Sequence, residues 1–269
     1  MIRALRSAVA GFRAHHGIFL AAGLSFNLLI CLIPVLFFLV SVAGFVLSRR
    51  AAAEAVLQQL GQVVPVYREE LHEALAQIIR RRGLSGLLGT VVLLLFASQL
   101  FSALRLVLNQ VFGFTQGRGL LLETLKDLFL LLIMGILFLG TILVTDLFAW
   151  IKVFLMIPVG MPPEGIHSAF VALGLAINTA LFFVAYRYFP HRKVPIWPAM
   201  GGALLASVLW EAAKQTFRWY ILTLGVYDRI YGPLGALVAL GMFIYYSGIV
   251  FVLGAEFAAA LRAGSSRRG

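Results

Sequence analysis

Polar and apolar positions along this chain separate into blocks far longer than a soluble helix needs. Gly17–Ser48, Gly83–Leu104, Leu128–Thr145, Gly165–Tyr186, Val194–Trp210 and Ile230–Ala255 contain no Asp, Glu, Lys or Arg. An apolar helix needs about 20 residues, within a range of about 17–25, to cross a hydrocarbon core of ~30 Å. Five of the runs meet that requirement unaided, whereas the run from Val194 becomes long enough only by carrying charge into the membrane. The runs are continuously apolar and lack the alternation of a membrane β-strand, so helices are predicted. The pattern places spans at about 20–47, 85–111, 128–150, 166–188, 197–222 and 231–261.

The expected fold is an all-α integral membrane protein, a six-helix transmembrane bundle forming a single membrane domain over 1–269. Two segments stand outside the spans. In Met1–His16, Ile2, Leu5, Val9 and Phe12 recur at helical spacing, with Arg3, Arg6 and Arg13 on an adjacent face. That pattern predicts an amphipathic helix at the headgroup level with its arginines toward anionic lipid, a frayed basic tail being the alternative. Between spans 1 and 2, the polar segment 49–82 is divided by Pro65 into two expected extramembrane helices. In the second, Leu71, Leu75, Ile78 and Ile79 form an apolar stripe, with Glu69, Glu70, Glu73 and Arg80–Arg82 elsewhere.

Composition agrees with the pattern. Hydrophobic residues make up 61% of the 269 and charged residues 12%, against roughly 45–50% and about 25% in soluble chains. A water-soluble surface cannot be built from this inventory. The first apolar run greatly exceeds the 7–15 residues of a signal-peptide core, and without a convincing cleavage site it is expected to be a retained span. Cys31 is the only cysteine, so no intramolecular disulfide or cysteine metal cluster is available.

Basic residues suggest an orientation. With the N-terminus cytoplasmic, the inside carries Arg3, Arg6, Arg13, Arg118, Lys126, Arg187, Arg192, Lys193, Arg262, Arg267 and Arg268, and the short outside loops carry Lys152 and Arg229. This follows the positive-inside rule, so both termini are expected in the cytoplasm. The exception is the 49–82 segment, which puts Arg49, Arg50, Arg68 and Arg80–Arg82 outside with four glutamates. The formal charge of +11 then reflects topology and membrane lipids as partners. No aromatic–basic pattern for nucleic acid accompanies it.

Ionisable residues inside spans are costly, so each is a functional candidate. Glu211, Lys214 and Arg218 share one face of the fifth span at spacings of three and four, and Gln215 extends that face. Glu211 can pair with Lys214. Asp146, late in the third span, reaches a comparable outer depth at about 1.5 Å per residue. Arg105 and Glu256 form a second set toward the cytoplasmic side, and Asn27, Gln99, Asn109 and Asn178 add uncharged groups. Two readings stand side by side. The charges either lock helices together, or, since Lys214 and Arg218 outnumber the acids on their helix, hold an anionic ligand. Enzyme chemistry lacks support: His15, His16, His72, His167 and His191 form no metal-ligand motif, and no P-loop or GxSxG elbow is present. No cofactor or metal is expected.

Leu209-Trp210-Glu211, then Tyr227-Asp228-Arg229-Ile230-Tyr231-Gly232-Pro233-Leu234-Gly235-Ala236, then Leu253-Gly254-Ala255-Glu256 follow one another in the chain. These resemble the W-E, Y-x-x-x-Y-G-x-L-G-A and G-A-E signatures of the YihY/BrkB family of bacterial inner-membrane proteins, once labelled ribonuclease BN. Leu24-Ser25-Phe26 through Ile33-Pro34 resembles the family's L-S-F-Y-x-L…P opening, with Asn27 at the usual tyrosine. Phe101-Ser102-Ala103-Leu104-Arg105 and Asn109 match its second-span pattern. Pro233 stands where a small residue is usual. The resemblance covers nearly the whole chain and implies six helices, a cytoplasmic N-terminus and an envelope location. It also carries an association with serum resistance, a phenotype rather than a mechanism, and supplies no substrate. Asn27 and Tyr231, which stand in the matched signatures, join Glu211, Lys214, Arg218, Asp146, Arg105 and Glu256 as candidate binding or transport residues. The expected function is a transporter or flippase-like exporter of an amphiphilic or anionic envelope compound. The alternative is a structural or regulatory membrane protein whose buried charges only stabilise packing.

Overall fold

The computed structural model describes residues 2–46, 82–114, 133–134, 137, 140, 163–224 and 234–266. Segment 49–81 and nearly all of the expected third span therefore lie outside the described residues. Six helices run through the rest: α1 Ile2–Ala14, α2 Gly17–Val46, α3 Arg82–Phe112, α4 Pro163–Tyr188, α5 Ile196–Leu224 and α6 Leu234–Ser266. No strand occurs among the described residues. Four helices are long and apolar enough to cross a membrane, or five if the bent pair α1 and α2 counts as one span.

Helix ends follow local chemistry. The chain bends by 72° between α1 and the start of α2, at His16, which adopts a left-handed φ of 54°. Histidine is among the residues enriched in that conformation. Gly113, at φ 67°, closes α3. Its N–H donates to the Gln110 carbonyl at 3.3 Å and the Phe114 N–H to the Asn109 carbonyl at 2.9 Å, a Schellman arrangement that satisfies two terminal carbonyls. Pro190 follows the end of α4 closely, and Pro198 sits in the first turn of α5, where a missing N–H costs nothing. Pro34 lies within α2, which continues through it.

N-terminal α1 is a helix rather than a frayed tail, and it has three faces. Ala4, Ala8 and Gly11, followed by His15 in the turn just past the helix, repeat at four-, three- and four-residue steps and include the fully buried Ala8. Leu5 and Val9 are exposed on a second face. Arg3, Arg6 and Arg13 are exposed on a third. The protein-facing side of this helix is thus its small-residue side.

By contacts the chain divides into two units, and α2, α3, α5 and α6 contribute residues to both. The first unit comprises 1–21, 104–215 and 247–269. In it, α4, α5 and α6 meet through small residues: a Cβ at Gly202 would lie 2.6 Å from the Gly254 carbonyl oxygen and 2.7 Å from the Ala258 Cβ. One at Gly254 would strike the Tyr186 hydroxyl, which donates to the Phe251 carbonyl at 2.9 Å. Phe182, Tyr186 and Phe251 pack around that bond, with Trp210 edge-on to Phe182. The second unit comprises 22–103 and 216–246. There Ser25 Oγ donates to the Ile244 carbonyl at 3.1 Å, and the Phe217 and Phe243 rings lie 5.0 Å apart.

Burial by size reflects the surrounding solvent. Ala97, Ala185, Ala199, Ala203, Ala206 and Ala255 are buried, whereas Phe19, Phe26, Leu95 and Val208 are exposed. Lipid tails are as apolar as leucine, so large side chains lose nothing by facing outward, while small ones let helices approach.

Candidate functional site

Glu211 and Lys214 lie in the apolar α5, within the 196–217 stretch fit to cross a membrane. Lys214 Nζ is 2.7 Å from Glu211 Oε2, the two side chains being 38% and 26% exposed. The i, i+3 spacing on one helical face produces this pair. Its partial exposure shows that it is not sealed into the core. Gln215 on the next position is exposed. Arg218 belongs to α5, but its side chain lies outside the described residues, as do Asp146 and Tyr231.

Glu256 is a different case. Its carboxylate is buried on α6, and Oε1 lies 2.7 Å from Nδ1 of His15, a residue absent from the candidates read off the sequence. Gly11 belongs to the same contact, because a Cβ there would run into the Glu256 carboxylate. Gln110 Nε2 donates to the His15 carbonyl at 3.4 Å, adding α3 to the junction. A buried carboxylate on one element is thereby met by a half-exposed imidazole on another, which joins α1 to α6. Arg105 is half-buried on α3 in the same unit. Asn27 turns its amide back on its own helix, donating to the Gly23 carbonyl at 2.8 Å.

The uncharged groups divide by satisfaction. Asn109 Oδ1 accepts the His191 N–H at 3.0 Å, tying α3 to the α4–α5 connection. Thr179 and Ser207 hydroxyls lie 2.7 Å apart between α4 and α5, and Ser207 also donates to the Ala203 carbonyl. Asn178 is buried, yet its Nδ2 has no hydrogen-bond partner among the described residues. Such a group is costly in a low-dielectric interior. In the sequence Asn178 is one polar residue among several, and what sets it apart, an Nδ2 without a partner among the described residues, is visible only in the packing.

Cations gather where α3, α4, α5 and α6 reach the same end of the first unit. Arg262 donates to the Phe112 carbonyl at 3.2 Å and stands over the Phe114 ring at 4.6 Å. Arg187 donates to the Val194 carbonyl at 2.9 Å and stands over Phe183 and Tyr188, with Lys193 also over Tyr188. Beside them, α4 and α5 enclose an open groove of about 460 Å³ whose lining includes Ala176, Thr179, Phe183, Met200 and Leu204. Among the described residues, no three His, Cys, Asp or Glu side chains are grouped to hold a metal ion.

Known proteins resemble the chain throughout. The family model described as "Virulence factor BrkB" matches residues 8–268. A "UPF0761 membrane protein" of Chlorobium chlorochromatii (strain CaD3) is 29% identical over 268 residues, covering 95% of this chain and 60% of its own length. Another, of Chlorobium phaeobacteroides (strain DSM 266 / SMG 266 / 2430), is 31% identical, covering 90% and 54%. A third, of Vibrio atlanticus (strain LGP32), is 26% identical, covering 90% and 76%. The chain spans between about half and three fifths of the length of the first two relatives. No solved structure matches it. Long apolar helices packed through small residues, together with a match from residue 8 to residue 268, establish that the chain is a membrane protein belonging to the BrkB virulence factor family.

Proposed function

We propose that this protein is a six-span transporter or flippase-like exporter of an anionic or amphiphilic envelope compound. It forms one membrane domain in the bacterial inner membrane, with both termini cytoplasmic and no enzymatic chemistry of its own. The observation that carries this reading is the Glu211–Lys214 pair, charged and partly exposed within an apolar membrane-length helix. A charge within a membrane-spanning helix is expensive unless it faces the bundle interior or a water-filled cavity, and a pair left partly open can still meet a ligand. In this reading Lys214 and Arg218 hold the anionic group, Glu211 compensates charge or carries a proton, and Asp146 is its outer counterpart.

The competing reading, a structural or regulatory membrane protein, is favoured by Glu256, whose buried carboxylate is taken up by His15 as an inter-helix tie. One experiment separates the two. Thermal unfolding of wild type and Lys214→Met in detergent is followed with and without a panel of envelope lipids and anionic metabolites. Stabilisation of wild type but not of the variant supports transport. A variant that is simply far less stable, with no compound binding wild type, supports the structural reading.

A further inference from the structure

The groove between α4 and α5 is lined almost wholly by apolar side chains, and the helical stripes that line it run on to a cationic connection between the two helices. On α4, Ala172, Ala176, Thr179 and Phe183 line it at three- and four-residue steps, and the next step is Arg187. On α5, Leu204 and Met200 line it, and one turn earlier come the exposed Ile196 and Trp197. Arg187 stands over the Phe183 ring at 5.9 Å and bonds the Val194 carbonyl, which fixes it where the two helices are joined. Arg192 and Lys193, both exposed, occupy that connection.

Length supplies a second argument. From Ala172 to Phe183 the lining rises about 16 Å at 1.5 Å per residue. That matches one leaflet of a hydrocarbon core of ~30 Å. A groove one leaflet long, open at its side and running toward Arg187, the cationic connection at Arg192 and Lys193 and an exposed tryptophan, has the polarity of a phospholipid lying along it. Tryptophan is the residue that settles at the headgroup level, and Trp197 is 84% exposed.

We infer that the α4–α5 groove is a binding site for an anionic phospholipid taken from the bilayer. One acyl chain lies against Ala176, Phe183, Met200 and Leu204. The headgroup phosphate lies against Arg192 and Lys193, with Arg187 setting the mouth. Thr179 and Ser207 satisfy each other at the wall, so the groove presents the chain with no unpaired hydroxyl. This inference does not depend on Lys214, and a failure of the transport reading leaves it standing.

The test uses the full chain in a neutral detergent, with retained lipid counted by native mass spectrometry. The protein is titrated with phosphatidylglycerol, with phosphatidylcholine of the same chains, and with glycerol phosphate as a soluble headgroup. Wild type is expected to retain phosphatidylglycerol preferentially and to ignore glycerol phosphate. Arg192→Gln with Lys193→Gln lowers that affinity about tenfold or more, at the strength each cation contributes near an anionic surface. Arg192→Lys with Lys193→Arg restores it. Filling the groove by Ala176→Phe, or by Leu204→Trp at an exposed position that leaves folding intact, reduces retention of both lipids. Equal retention of the two lipids by wild type overturns the proposal. So does undiminished retention in a folded groove-filling variant, or glycerol phosphate binding as tightly as the lipid.

Discussion

Nδ1 of His15 lies 2.7 Å from the Glu256 carboxylate, although 241 positions separate the two residues. The contact exists because Gly11, one turn earlier on α1, leaves room for the second carboxylate oxygen. Removing either partner therefore removes the same tie. A double-mutant cycle of His15→Ala and Glu256→Gln, read by unfolding in detergent, should give a coupling of about 0.6 kcal/mol, the average for polar pairs in a membrane bundle, and at most about 1.7 kcal/mol. Gly11→Ala should destabilise the wild type and cost little in Glu256→Ala, where the obstructing carboxylate is gone. Additive effects throughout mean that the pair does not hold α1 to α6.

Gly254 predicts a sharper steric effect. A side chain there meets the Tyr186 hydroxyl and lies 2.7 Å from the Ala206 Cβ. Gly254→Ala should lower stability by about 1–3 kcal/mol, the usual cost of overpacking, and Gly202→Ala should do the same. Gly174→Ala and Gly241→Ala, where a Cβ meets nothing within 4 Å among the described residues, should leave the melting temperature unchanged or raise it. Equal losses at all four positions would show that helix flexibility, not close approach, is what these glycines supply.

Much of the backbone is legible in charge-free runs. The pattern predicts a span at 166–188 and α4 covers Pro163–Tyr188; it predicts 197–222 and α5 covers Ile196–Leu224. Long apolar runs locate helices well because nothing else satisfies the backbone in lipid. Pairing is legible only locally. Glu211 with Lys214 follows from spacing on one helix, whereas His15 with Glu256 requires knowing which face of α1 packs inward. That face escapes a search for large apolar residues. In lipid the tight-packing stripe is Ala4, Ala8, Gly11 and His15, while Leu5 and Val9 point away. The groove mouth at Arg187 has the same character, since it emerges only once α4 and α5 lie side by side.

Gly113 tests how α3 is closed. Its φ of 67° lies in the left-handed region, where a Cβ is unwelcome. Gly113→Ala should cost about 1 kcal/mol, and Gly113→Asn less, because asparagine tolerates that conformation. Unfolding midpoints of the three proteins check the order. A variant series with alanine as stable as glycine would show that the Asn109 and Gln110 carbonyls do not need this turn.

Asn178 separates function from stability most cleanly. A buried amide nitrogen with no partner among the described residues is a liability of about 1–3 kcal/mol. If it serves only packing, leucine in its place fills similar space and removes the unsatisfied donor. Asn178→Leu should therefore melt at or above the wild-type temperature. A ligand that uses this N–H reverses the ranking once it is present, since wild type then gains a bond the variant cannot make. The measurement is the shift in melting temperature on adding each compound that stabilises wild type. A smaller shift in a more stable variant places Asn178 among the groups that recognise cargo. An equal shift removes it from them, and a variant less stable than wild type would mean that the amide already has a partner worth keeping.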